Sequence, residues 1–216
     1  MTFAGSCVAM VDAVLIGGGG HAGVVLNAMR RNGMSVLGYV APALESRMSL
    51  PYLGTDVEFT ARSDARRCVA VLGIGKTRAS DGRLAVLEQF RAAGFRFPAV
   101  VAPGAIVHEG VTLGEGSVVL DGAVIVTGAE LGQACIVNTN ATVDHDCKLG
   151  DDVHIAPGAT LSGAVAVGHH CMIGAGATLI QSIRVCADCL IGAGATVVAD
   201  ITVPGTWIGT PARKSR

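Results

Sequence analysis

The sequence predicts a chain of two architectures: a small α/β unit with a parallel sheet over residues 1–100, then a repeat-built region over 101–208. Three observations carry this. Strand-like and helix-like segments alternate in the first hundred residues, and a glycine-rich turn joins the first pair. From Val101, every sixth residue is Val, Leu or Ile through eighteen consecutive units without an insertion. At 216 residues, the length suits one compact domain or two small ones.

The first strand is "DAVLI", 12–16, and "GGGGHAGVVLNAMRRNG" follows it. Val24, Val25, Ala28 and Met29 keep helical spacing there. "VLGYV" (36–40) and "CVAVLGIG" (68–75) are further strands, and "RLAVLEQFRAAG" (83–94) is a second helix. Such β–α alternation implies a Rossmann-like parallel sheet. The glycine loop then lies at a strand's carboxyl end and a helix's amino end, where free N–H groups can hold an anion. Glycines also let the backbone approach a phosphate closely. A plain strand-to-helix turn would use the same residues.

A net charge of −1 gives no electrostatic case for nucleic acid or an anionic membrane. Mean hydropathy is +0.53, yet no window approaches the roughly 20 apolar residues of a membrane span. Residues 1–20 carry no basic leader and run into the glycine turn. Seven cysteines, an odd number, offer no disulfide framework. They predict a reducing, cytoplasmic setting with buried thiols.

In the repeat, the fifth place of each unit is mostly Ala, Val, Cys, Ser or Ile, and Cys135, Cys147, Cys171 and Cys189 all occupy it. Fifth and next first residues are two apart, so in a strand both point inward. The sixth points out, and places two to four turn a corner. One unit, "VDHDCK" (143–148), fills its corner with Asp144, His145 and Asp146.

This repeat resembles the hexapeptide-repeat acyltransferases, which implies a left-handed parallel β-helix. In that fold the prism is triangular with three hexads per coil, so 101–208 would make six coils and 209–216 a C-terminal tail. Sixth-place residues then form three columns. The first face carries Ile106, Val124, Thr142, Thr160, Thr178 and Thr196; the second carries Thr112, Glu130, Lys148, Ala166, Arg184 and Thr202. The third carries Val118, Ile136, His154, Met172, Leu190 and Ile208. An outward apolar stripe is expected to meet another subunit, and the family is usually trimeric. That column is therefore the expected threefold interface, with His154 its single polar member. His145 lies on the corner opposite this face, and each face spans roughly 10 Å. The two histidines are expected to meet only across a subunit boundary. Gly163 stacks on His145 one coil later, leaving room for a substrate group and offering an N–H to an oxyanion. His169 and His170, at another corner, and His108 are expected to be surface residues.

A glycine-loop α/β unit joined to this prism resembles the bacterial sugar acyltransferases of the PglD/NeuD type, which include nucleotide-amino-sugar N-acetyltransferases. "GGGGHAG" (17–23), "NTNATVDHDC" (138–147) and "GTPAR" (209–213) match that family's motifs. The resemblance implies that Gly19, Gly20 and His21 bind the nucleotide-sugar diphosphate, with Gly75 and Asn138 also at the substrate. It implies His145 as general base, Asp146 as the group that orients it and raises its basicity, and His154 as a contact to acetyl-CoA. It further implies that backbone around Gly163, Ala175 and Ala193 lines the pantetheine groove. No metal is expected. Imidazole, with an ordinary pKa near 6.5, can accept a proton from an attacking sugar amine at neutral pH. One departure stands out. Family members often end the second strand with acids that contact the nucleotide or sugar, whereas here Ala41 and Pro42 fall there. Asp56, after "LGT", is the acid that could compensate.

Three other readings compete: a sugar O-acetyltransferase of the sialic acid type, a zinc-dependent β-helix carbonic anhydrase, and a β-helix serving only as scaffold or sensor. The second needs a third ligand at a matching position and a close His pair, which His145, His154 and His169 do not reproduce.

Overall fold

A computed structural model describes residues 12–62, 67–79 and 82–215, so the expected N-terminal domain begins outside the described residues. In the α/β unit the order is β1 (Asp12–Ile16), α1 (Gly20–Arg31), β2 (Ser35–Val40), α2 (Asp56–Thr60), β3 (Val69–Leu72) and α3 (Arg83–Ala92). The strands form a parallel sheet in the order β2–β1–β3. Ala22, Val25 and Met29 of α1 cover one face with Leu15 and Val71; Phe59 of α2 and Leu87 and Phe90 of α3 cover the other with Val14 and Leu72. A sheet buried on both sides needs continuous apolar strands, which is how "DAVLI" reads. Within α1, Val24 is 46% exposed, and Ala22 and Leu26 take the inward positions instead. α2, five residues long, is too short to show a period. Its capping box holds it: Glu58 N–H donates to Thr55 Oγ1, and Thr55 N–H donates to the Glu58 carboxylate.

The repeat region is a three-sided solenoid of short strands. Strand partners are eighteen residues apart, as in Thr142↔Thr160 and His154↔Met172, which makes three hexads per coil; the last coil is shorter, pairing Val185 with Ile201 and Leu190 with Thr206. Fifth- and first-place side chains such as Ala141, Val143, Cys147 and Leu149 form its core. At most corners the fourth place is left-handed, for example Asn140 (φ 56), Asp146 (φ 59) and Asp152 (φ 53). That conformation admits Gly first and then Asn, Asp and His, which explains the composition of the fourth place. The four fifth-place cysteines are buried free thiols, and burial pushes Cys135 and Cys189 up to about 12. Cys186 and Cys189 stand at C-x-x-C spacing, with Sγ atoms 3.6 Å apart. The expected tail is partly structural: Arg213–Lys214 pairs antiparallel with Gly205–Ile208 and closes the third face.

The main correction concerns that third face. Val118, Ile136 and His154 are buried, but beneath the chain's own α/β unit. Val118, Leu120 and Ile136 share one cluster with Leu15, Val25 and Met29. The chain enters the solenoid on this face, through Val100–Val101, so the preceding unit folds back over the first coils. Arg31–Asp121 and Arg91–Glu115 ion pairs, 2.7 and 2.8 Å long, flank the contact. The apolar stripe does need a cover, but its first half finds one within the same chain. Met172 and Leu190 remain partly exposed, and Thr206 rather than the expected Ile208 stacks on Leu190 and ends the column.

Candidate active site

Two separate constellations emerge. The first is a cavity of about 590 Å³ at the carboxyl ends of the strands, lined by the loop from Gly17 to His21, by Gly73 and Gly75, and by Glu45 and Asp56. Gly19 caps α1 without any side-chain hydrogen bond, so the first-turn N–H groups of the helix have no side-chain cap. Gly19, Gly20, His21 and Gly75 thus come together as expected.

Behind this cavity lies a buried polar cluster that joins the two units. His154 Nδ1 is 3.0 Å from the Lys76 carbonyl oxygen and its Nε2 is 3.1 Å from Asn138 Nδ2. A carbonyl only accepts, so Nδ1 carries the proton and Nε2 accepts from the amide. Asp152 receives Lys76 Nζ at 2.8 Å and an Arg83 terminal nitrogen at 3.1 Å, all three side chains being fully or almost fully buried. Arg83 also donates to the carbonyls of Ile74 and Ala134. Lys76, Arg83 and Asp152 were not singled out from sequence. Asp152 reads there only as another fourth-place corner residue, and no spacing links it to cations 76 and 69 residues away.

His21 and His154 are both held neutral. Burial is the main cause in each, helped by the Arg83 guanidinium, and each falls to about 4. His21 Nε2 is buried with no hydrogen-bond partner among the described residues. Both pKa values lie below the unfolded value of 6.5, so the folded state binds fewer protons between 6.5 and about 4. The stability this confers is complete above 6.5 and is lost as pH falls through about 4. At about 1.4 kcal/mol per unit, each histidine contributes on the order of 3 kcal/mol of pH dependence. Denaturant melts across that window should show it, with a smaller drop in His154→Gln.

The second constellation is the His145–Asp146 pair on the corner between the first and second faces. His145 Nδ1 lies 2.8 Å from Asp146 Oδ2, and both side chains are more than half exposed. The Asp146 hydrogen bond, reinforced by the charges of Asp144 and Asp146, raises the imidazole above its ordinary pKa. Gly163 lies beneath the ring and is buried. A Cβ built there would collide with Nε2, so the space left by this glycine is taken by the imidazole itself. Gly163→Ala should displace the ring of an exposed side chain at little cost in stability, and so lower turnover by about tenfold or more through misplacement. A melt and a turnover assay on the same sample would check it.

Two expectations need correction. His154 is an internal residue of its own chain, with both ring nitrogens engaged. Ala175 and Ala193 lie on the corner between the third and first faces, whereas Gly163 lies between the first and second. One chain alone therefore cannot line a single groove with all three. His169 and Asp151 form a separate exposed ladder, with Asp151 N–H donating to His169 Nδ1. Among the described residues no group of three or more His, Cys, Asp or Glu side chains is placed to hold a metal ion. No described helix is long and apolar enough to cross a membrane.

A coiled hexad core with an imidazole–carboxylate pair on an open corner defines a hexapeptide-repeat acyltransferase. Residues 128–163 match the model of the bacterial transferase hexapeptide (six repeats), and 164–199 that of the hexapeptide repeat of succinyl-transferase. Among solved structures, the chain is similar to the acetyltransferase domain of PglB from Neisseria gonorrhoeae FA1090 in complex with acetyl coenzyme A. Identity is 34%, covering 94% of this chain and 98% of that one, with a TM-score of 0.88. It is also similar to PerB from Caulobacter crescentus in complex with CoA and GDP-perosamine, at 35% identity over 95% of this chain and 97% of that one, TM-score 0.87. WeeI from Acinetobacter baumannii AYE, at 22% identity over 94% and 99% of the two chains and a TM-score of 0.83, shares the fold. None of the curated protein sequences matches the chain. The chain belongs to the bacterial hexapeptide-repeat sugar acyltransferases and is an acyl-CoA-dependent acyltransferase.

Proposed function

We propose that the protein transfers the acetyl group of acetyl-CoA to the amino group of a nucleotide-linked amino sugar. His145 of one copy is the general base, and the glycine cavity of another copy holds the nucleotide sugar. The observation that carries this reading is the His145–Asp146 hydrogen bond on an open corner, with Nε2 left over Gly163. The likeness to PerB and to the PglB domain supports the substrate class.

In the reaction the amine lone pair attacks the thioester carbonyl carbon. The nitrogen becomes positive as the C–N bond forms, and His145 Nε2 takes its proton. Asp146 keeps the proton on Nδ1 and stabilises the imidazolium that results. Collapse of the tetrahedral adduct breaks the C–S bond, and the imidazolium returns a proton to the leaving thiolate. Gly163, on the same corner, supplies its N–H to the oxyanion. His154, buried and held by Asn138 and the Lys76 carbonyl, keeps the two units of one chain together.

A single chain carries the cavity over its third face and the dyad on the corner opposite that face. The site is therefore completed between copies, and a closed ring of three suits a prism with three faces. Met172 and Leu190 remain on that face for such a contact.

Free-thiol release with nucleotide-linked amino and hydroxy sugars tests the chemistry, and turnover on the hydroxy sugar alone would overturn it. Complementation tests the geometry. His145→Ala and Gly19→Asp should each be inactive, and co-refolding them should restore activity. No recovery from two folded, co-assembled variants would place the site within one chain.

A further inference from the structure

The cavity carries two carboxylates that the missing strand-end acids do not explain. β2 ends at Val40, and the next two residues, Ala41 and Pro42, line the cavity without charge. Glu45 is brought back to the same place. The buried Tyr39 hydroxyl accepts from Glu45 N–H at 2.7 Å and donates to its carbonyl at 3.3 Å. This pins the residue so that its Cγ would lie 2.6 Å from any Cβ at position 18. Gly18 is thus the residue that admits Glu45 beside the glycine loop. Asp56 reaches the cavity from the first turn of α2, positioned by the Thr55–Glu58 capping box. Among the described residues neither the Glu45 nor the Asp56 carboxylate has a hydrogen-bond or ion-pair partner. Partial burial raises Asp56 above the usual carboxylate range, as fits an acceptor with no donor in place. The partly buried Asp56 carboxylate is left without a partner at a cost unless a ligand brings N–H or O–H donors to it, and the exposed Glu45 beside the glycine loop is open to the same ligand.

We propose that the nucleotide is a guanosine diphosphate, with Asp56 accepting from guanine N1–H and the exocyclic amino group and Glu45 accepting from the ribose hydroxyls. The inference rests on reading this cavity as the nucleotide-sugar site. Guanine is the base that presents two adjacent donors, a fork matched to the two oxygens of one carboxylate. Uracil and thymine offer one N–H between two carbonyl oxygens, which a carboxylate repels. Adenine and cytosine set an amino group beside a ring acceptor, so one carboxylate oxygen meets a lone pair. In nucleotide-binding βαβ units an acid after the second strand takes the ribose hydroxyls. Glu45 fills that role from three residues beyond Pro42.

The test is calorimetric titration of the full-length protein, without acetyl-CoA, against GDP, UDP, dTDP and 2′-deoxy-GDP. The expected result is that GDP binds roughly tenfold or more tightly than UDP or dTDP. Asp56→Asn should abolish that preference, since an amide offers one acceptor and one donor to the guanine fork. Glu45→Gln should narrow the gap between GDP and 2′-deoxy-GDP while keeping GDP ahead of UDP. Equal or tighter binding of UDP, or a guanine preference unchanged in a folded Asp56→Asn, would overturn the inference and leave the acetyltransferase reading intact. No binding of any nucleoside diphosphate would overturn both.

Discussion

Replacing His145 by alanine should lower turnover by about 10²–10⁴-fold, the usual contribution of a positioned proton acceptor. Nothing else should change. The imidazole is more than half exposed, and its packing contact is with Gly163, so melting temperature and nucleotide affinity should match the parent protein. Asp146→Asn separates basicity from position. Asparagine tolerates the left-handed backbone that Asp146 adopts at φ 59, and it keeps an oxygen near Nδ1 without the charge. The Asp146 hydrogen bond holds His145 above its ordinary pKa. The unprotonated base accumulates above that pKa, so the rate rises with pH through it. In Asp146→Asn that rising limb should move to lower pH, with a lower plateau. Turnover within tenfold of the parent in His145→Ala would remove the imidazole from the mechanism.

The largest expected loss of stability is at Asp152. Its carboxylate accepts from Lys76 and Arg83 in an interior that admits almost no water, with His170 Nδ1 3.6 Å away. Asp152→Ala leaves two buried cations without their anion, and removing one partner of a buried ion cluster costs about 3–5 kcal/mol. Both cations come from the α/β unit and the acid from the solenoid. The loss should therefore fall on the contact between the two, with the solenoid core unaffected. Hydrogen exchange should show faster exchange in 69–79 and 83–92, with that of 160–197 unchanged. Cys171 and Leu161, fully buried in the solenoid core, belong to that unaffected part. A variant as stable as the parent would mean that water or Asp151 takes over the charge.

Much of the molecule was legible because its signals are periodic. Inward first and fifth places and left-handed fourth places are local requirements repeated at each coil, so the hexads give the solenoid and its three columns up to the last coil, where the register shortens by two residues and Thr202 and Ile208 leave their expected columns. The corner position of His145 and Asp146 follows from the same count. The glycine loop was legible for a different reason, since strand, glycines and helix are contiguous. α2 was not, because five residues show no period, and with it the approach of Asp56 to the cavity. Glu45 was hidden too, since a tyrosine hydroxyl six residues upstream sets its place.

The apolar third column shows where sequence stops. Val118, Ile136 and His154 must be covered, and hydropathy alone establishes that much. Which surface covers them depends on how the α/β unit folds back from Val100, a long-range contact between segments a hundred residues apart. The same contact brings Lys76 and Arg83 to Asp152 and buries His154, so it alone holds that histidine neutral. Periodicity determined the solenoid, the core thiols and the corner that holds the base. Only the tertiary structure decided which face is internal, because burial of an apolar stripe is non-directional and the chain itself can supply the cover.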